Sequence, residues 1–282
     1  MKEAPMTETA TRDIQTQASD IQTQASDIQT QTSDIQTQTV NLPVFDGTTM
    51  PAYVARPAGG RPAPGLLVFQ EAFGVNAHIR DITERFARAG YTAVAPALFH
   101  RTDPHFAGLY TDFAAAMPHM QGLTDDGQSA DMQAAFDWLK SESGGNAPKV
   151  GSTGYCMGGR ASFLADAILP LQASVSYYGG GIAAGPHPIL RTGAGFPDLL
   201  GRAPDLHAPL LLFWGGKDTH IGPDLTQAVE DAVKAAGKPY TQVVFSEAEH
   251  GFFCDARASY NPEAAAQAWP LTLAFLAVHL GA

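Results

Sequence analysis

An α/β domain, its mostly parallel sheet covered by helices on both faces, is the fold class this 282-residue chain predicts. Three observations carry that expectation. The strand-like runs are continuously apolar rather than alternating, which is how strands read when both faces are buried. Helical patterns fall between them, in the rhythm of a parallel sheet. Residues 40–282 also suit one domain, able to bury on the order of 70–75% of its unfolded surface without metals or disulfides.

Taken in order, residues 40–45 and 50–55 are weaker runs that fit an antiparallel hairpin at the sheet edge. Residues 65–69 (GLLVF) read as a buried strand. A helix over 78–89 follows, with Ile79, Ile82, Phe86 and Ala89 on one face and Gly90 as its C-cap. Residues 91–95 form the next strand, stopped by Pro96. Residues 125–140 are helical, 149–153 a strand, and a helix starts at Met157. Strands at 173–177 and 210–214 (LLLFW, the strongest) come next, then a helix over 224–236 and a strand at 241–245. The last helix opens at Asn261-Pro262, an N-cap followed by proline at the first helical position.

The first 39 residues stand apart. Asp-Ile-Gln-Thr-Gln recurs at Asp13, Asp20, Asp27 and Asp34 with a seven-residue period. Each copy carries a single isoleucine, whereas a coiled-coil seam needs two apolar positions per heptad. A disordered tail over 1–39 is expected instead.

The charge balance, 28 acidic against 17 basic residues for a net −11, argues against a nucleic-acid grip built on phosphate neutralisation. No run approaches the ~18 apolar residues of a membrane span. Two cysteines cannot make a disulfide framework, and the start lacks a basic-then-apolar leader, so a reducing cytoplasm is the expected compartment. The expected partner is a small molecule, and the expected form a monomer.

In such sheets the active site lies outside the carboxyl ends of the strands. The turn after the 149–153 strand reads Gly154-Tyr155-Cys156-Met157-Gly158-Gly159. Small residues two before and two after Cys156 are what a sharply bent strand–turn–helix demands, since a Cβ would collide across the turn. The bend lifts the thiol to a helix start, where free N–H groups and the helix dipole stabilise a thiolate. A free cysteine is ordinarily a buried structural residue; glycine spacing, strand end and helix onset together favour a nucleophile.

A nucleophile in this geometry needs a base, and the base an orienting group. Asp218 (WGGKD) ends the strongest strand and His250 (EAEHG) follows the last one, in the chain order nucleophile, acid, histidine. The other histidines do not follow a strand after Asp218, except His220, only two residues beyond it. The turn Gln70-Glu71-Ala72-Phe73-Gly74 stands where the amide of Ala72 would join that of Met157 to hold an oxyanion. Glu71 directly after a buried strand either has a partner or reaches solvent at the strand end, and the residues alone leave both open.

These residues resemble the dienelactone hydrolase family, the cysteine branch of the alpha/beta-hydrolase fold. QEAFGVN (70–76), GYCMGG (154–159), GGKD (215–218) and EHGFF (249–253) carry the resemblance, which spans the domain from Val40 onward. It implies a catalytic triad of Cys156, His250 and Asp218, no metal and no organic cofactor. It also implies that Glu71 interacts with the thiol and helps activate it when substrate binds. The implied reaction is opening of an activated ester or enol lactone, as in carboxymethylenebutenolidase, through an acyl-thioester on Cys156, in aromatic compound degradation. Members acting on dienelactone hold its carboxylate with arginines, one of them four residues after the histidine. Here that position is Cys254, so Arg257 and Arg101 stand as the candidate substrate-binding residues.

Two other readings compete. Cys156 could be a redox or electrophile sensor on the same fold, although a sensor thiol needs no oriented base. A metal site from His100, His105 and His119 is weak, because those spacings fit no common ligand pattern. The segment 100–119, punctuated by Gly and Pro and rich in aromatics, is placed either to cover the site or as a plain surface loop.

Overall fold

A computed structural model of the chain describes residues 35–59, 62–185 and 197–281. Strands are β1 (Ile35–Pro43), β2 (Thr49–Pro57), β3 (Gly65–Phe69), β4 (Thr92–Pro96), β5 (Val150–Tyr155), β6 (Ala173–Tyr177), β7 (Leu210–Gly215) and β8 (Tyr240–Phe245). Helices are α1 (Ala77–Arg88), α2 (Phe113–Gln121), α3 (Asp125–Lys140), α4 (Met157–Ile168), α5 (Pro223–Ala235) and α6 (Pro262–Leu280). The strands form one sheet in the order β1-β2-β4-β3-β5-β6-β7-β8. β1/β2 and β2/β4 pair antiparallel; β4, β3, β5, β6, β7 and β8 run parallel. This is the alpha/beta-hydrolase architecture that the sequence predicts.

Every residue of β3, β4, β5, β6 and β7 is buried, as strands covered on both faces must be. Phe86 of α1 packs on Trp269 of α6, ring centroids 4.8 Å apart. Elsewhere Arg160 of α4 clamps Asp125 of α3 at 2.7 Å. The serines of β5, α4 and β6 close a buried hydroxyl cluster, Ser152 to Ser162 at 2.7 Å and Ser162 to Ser174 at 3.0 Å. That cluster pins α4 to the strand preceding it, so the helix start beside Cys156 sits on a fixed platform. No helix among the described residues is long and apolar enough to cross a membrane.

Two expectations need correction. The first strand begins at Ile35, not at Val40, so residues 35–39, which include most of the last repeat copy, lie in the sheet and the tail boundary at residue 39 is too late. Thr37, Thr39 and their neighbours are exposed there, and backbone pairing along β2, from Ile35 with Pro57 onward, holds them rather than apolar burial. Thr and Ile are good strand formers, which suits that role. The expected disorder of residues 1–34 concerns a segment outside the described residues. Second, the segment 100–119 contains the start of α2, capped by Asp112 accepting from the Ala115 amide at 3.1 Å.

Candidate active site

Cys156 occupies the junction of β5 and α4 with φ +56° and ψ −118°, a left-handed backbone costing on the order of 1–3 kcal/mol for a residue with a side chain. The flanking glycines explain how the turn can exist. A Cβ at Gly154 would stand 1.8 Å from the Gly158 carbonyl oxygen, and one at Gly158 would stand 2.3 Å from that of Phe69. The Cys156 amide donates to Tyr177 at 3.0 Å, locking the bend to the neighbouring strand.

His250 follows β8, and its Nδ1 lies 2.8 Å from Asp218 Oδ2. The other carboxylate oxygen, Oδ1, accepts from the amides of His220 at 2.8 Å and Ile221 at 2.9 Å. An ionised carboxylate only accepts, so Nδ1 carries the proton and Nε2 is left for the thiol. Burial alone would raise the Asp218 carboxyl, but the His250 bond and the two amides hold it below the usual aspartate value. Burial would likewise lower His250; the charge of Cys156, the Asp218 bond and the bond to Cys156 outweigh it and lift the imidazole to about 10. The loops carrying the pair are tied together, Lys217 N–H donating to the Ala248 carbonyl at 2.8 Å.

The amides of Ala72 and Met157 make no hydrogen bond among the described residues, so both donors are available to a ligand. Glu71, beside Ala72, is fully buried, and its Oε1 accepts from Arg257 Nη1 at 3.2 Å. Of the two readings left open for Glu71, the partner is the one found. The Arg257 guanidinium lies against the backbone next to His250: a Cβ at Gly251 (φ +79°) would meet its Cζ at 2.5 Å. Burial would lower the Arg257 pKa, yet the charges of Glu71 and Cys156 raise it, so it stays a cation.

The sequence profile of the "Dienelactone hydrolase family" matches residues 50–280. The chain belongs to the dienelactone hydrolase family. A "Putative carboxymethylenebutenolidase" of Synechocystis is 36% identical over 221 residues, covering 77% of this chain and 87% of the relative. One of the same name from Salmonella typhimurium is 36% identical over 247 residues, covering 83% and 85%. A crystal structure of a "Putative Dienelactone Hydrolase" from Klebsiella pneumoniae superposes with a TM-score of 0.77 at 35% identity, covering 86% of this chain and 99% of that one.

Within this dienelactone hydrolase family domain, Cys156, His250, Asp218, Glu71, Ala72, Met157 and Arg257 belong to one site, while Arg101 does not. Its Nε and Nη2 donate to Asp46 Oδ2, and Nη1 and Nη2 bind both oxygens of the buried Asp131. A guanidinium committed to two carboxylates has no fork left for a substrate, so Arg101 is withdrawn as a substrate-binding residue. The histidine triplet also disperses: His100 bonds Asp131 at 2.9 Å and His119 bonds the Thr102 hydroxyl at 2.8 Å.

The segment 100–119 packs on the turn at residues 70–74. Gly74 bridges to Ala107, and the Phe73 and Tyr110 rings stand 4.6 Å apart. Tyr110 thereby reaches the Arg257 guanidinium, 5.7 Å from its ring centroid. Sequence reasoning missed Tyr110, His78 and Tyr178 as neighbours of the site. Tyr178 has φ +40°, is fully buried and stacks edge-on to His250 at 5.1 Å. Its place just past the carboxyl end of β6 was the available signal.

Proposed function

We propose that the chain, a carboxylic ester hydrolase by family, opens an activated ester or enol lactone bearing an anionic group through an acyl-thioester on Cys156. The observation that carries this is the line Asp218–His250–Cys156, with the thiol at a strained bend beside two amides that make no hydrogen bond among the described residues. With the proton already held on His250, the Cys156 thiolate Sγ attacks the ester carbonyl carbon. The carbonyl oxygen takes the negative charge, held by the Ala72 and Met157 amides, each typically worth about 2.7–4 kcal/mol in a transition state. Collapse breaks the carbon–oxygen bond, and the leaving enolate takes the proton from His250. A water then gives its proton to His250 as it attacks the thioester, and the thiolate leaves. A thiolate is itself a good leaving group, so the bond cleaved must be an activated ester rather than an amide.

Arg257 gives the site its anion preference. A substrate carboxylate drawn to the guanidinium competes with Glu71 Oε1, and the freed carboxylate becomes a second base near the nucleophile. The oriented imidazole tells against a sensor thiol, which needs no general base.

The test uses a panel of aryl esters and lactones with and without a carboxylate, plus mass spectrometry after rapid acid quench. The expected result is an acyl adduct on the peptide containing Cys156, faster turnover of carboxylate-bearing substrates, and none by Cys156→Ala. Retained turnover in that variant would overturn the reading.

A further inference from the structure

Beside the nucleophile lies a second group of buried side chains that the hydrolytic steps do not use. Glu71, His78 and Cys254 each offer one ligating atom, and these atoms all lie within 4.8 Å of one another. All three residues are at least nine-tenths buried. They arrive from separate places: the turn after β3, the first turn of α1, and the loop after His250. Arg257 occupies only one oxygen of Glu71; Oε2 has no partner among the described residues, and neither has His78 Nε2. The Tyr110 hydroxyl stands beside Glu71 and Cys254. Each such orphan costs about 1–3 kcal/mol, so two in one spot, beside a buried thiol, point to a ligand that satisfies them.

The donor set decides the class of ligand. A carboxylate oxygen, an imidazole nitrogen and a sulfur suit zinc, whereas magnesium and calcium want oxygen alone. We infer that Glu71 Oε2, His78 and Cys254 Sγ form a binding site for one Zn²⁺ ion, adjacent to Cys156 but not including it. Ligand distances of about 2.0–2.3 Å set tetrahedral donors about 3.3–3.7 Å apart. From an outer limit of 4.8 Å, that is a closure of roughly 1 Å, within reach of χ rotations at Glu71 and Cys254. Zinc displaces the Cys254 proton to solvent and faces the thiolate and the Glu71 carboxylate, the latter shared with Arg257. Arg257 keeps its contact with Oε1, and the fourth position falls to water or the Tyr110 oxygen.

The consequence for turnover rests on the hydrolase reading: zinc fixes Glu71 and halts ester cleavage while Cys156 stays free. The binding itself does not rest on it. The test is therefore made on the full chain carrying Cys156→Ala, with Co²⁺ as spectroscopic probe and Zn²⁺ in competition with a chelating dye. One equivalent of metal is expected, with a thiolate-to-cobalt charge-transfer band, since the sulfur involved is that of Cys254. Adding Cys254→Ser should remove the band and weaken Zn²⁺ binding at least about tenfold, the lower end of what losing even an outer-shell partner costs. His78→Gln in the Cys156→Ala background should weaken it too, and serves if Cys254→Ser does not fold. A chain that takes up no equivalent, or a band lost with Cys156→Ala and kept by Cys254→Ser alone, would overturn the site. Neither outcome touches the hydrolase reading, which is measured without metal.

Discussion

Arg257 and Glu71, 186 residues apart in sequence, meet at 3.2 Å in the buried floor of the site. The arginine side chain is one-fifth exposed and the carboxylate not at all. Removing one partner of such a pair strands the other charge, at a typical cost of about 3–5 kcal/mol. Arg257→Met is therefore expected to lower the unfolding free energy by about 3 kcal/mol. Glu71→Gln in the same chain should restore most of it. Urea unfolding of the two single variants and the double variant checks this, and a loss under about 0.5 kcal/mol for Arg257→Met, no more than a surface substitution costs, would contradict it.

The imidazole of His250 is the site's main pH-dependent group. Its pKa in the fold, about 10, exceeds the ordinary 6.5. A raised histidine pKa lends stability that is complete below pH 6.5 and is lost as pH rises through about 10. Unfolding free energy should fall from pH 6 toward pH 10, and less steeply in Cys156→Ala, which lacks the sulfur charge. In the proposed reaction, acylation removes the same charge, letting the imidazole lose its proton and serve as base toward water. NMR titration should place the His250 pKa in Cys156→Ala at least about one unit below wild type, the minimum expected on losing an opposite charge at contact. An unchanged value would mean that sulfur does not set it.

The bend at Cys156 was legible because its glycine spacing can be read without the rest of the fold. At Gly154 the clash is with the turn itself, and at Gly158 it is with Phe69 at the end of the neighbouring strand β3. Asp218 and His250 were legible because they follow apolar runs at strand ends. Ile35 to Thr39 were not, since an exposed edge segment held by backbone pairing leaves no hydrophobic pattern. Helix α2 is short, contains Pro118 and buries only Ala116, so it too lacks a strong stripe. Arg101 was misplaced for a different reason. Its carboxylate partners, Asp46 and Asp131, come from distant turns and helices that no spacing rule connects. The Glu71–Arg257 pair is equally nonlocal, and the route of the loop after His250 alone decides it.

Tyr178 tests whether an orphaned group is kept for a ligand. Its hydroxyl is buried without a partner among the described residues, and burial, reinforced by the charge of Glu71, keeps the phenol protonated. A buried unsatisfied hydroxyl is a cost to the fold, so Tyr178→Phe should gain about 1 kcal/mol of stability. If the hydroxyl donates to substrate, kcat/KM falls in the same variant, by about tenfold for 1.4 kcal/mol of lost binding. Calorimetry and esterase assays on one preparation read both effects. Higher stability with unaltered turnover would remove Tyr178 from the substrate's surroundings.

The sharpest structural test lies at the bend itself. A methyl group at Gly154 would stand 1.8 Å from the Gly158 carbonyl oxygen, and that oxygen is backbone, so no side chain can swing aside. Relief requires the turn to open, which moves Cys156 and the Met157 amide together. Gly154→Ala should therefore abolish turnover and cost several kcal/mol, at the diagnostic end of single substitutions of roughly 4 kcal/mol or more. Gly201→Ala is the control, because a Cβ there meets nothing within 4 Å. It should shift stability by no more than about 0.5 kcal/mol and leave the rate alone. Urea midpoints and ester turnover of the two variants decide the matter. A Gly154→Ala protein with wild-type rate would mean that the thiol does not depend on this bend for its placement.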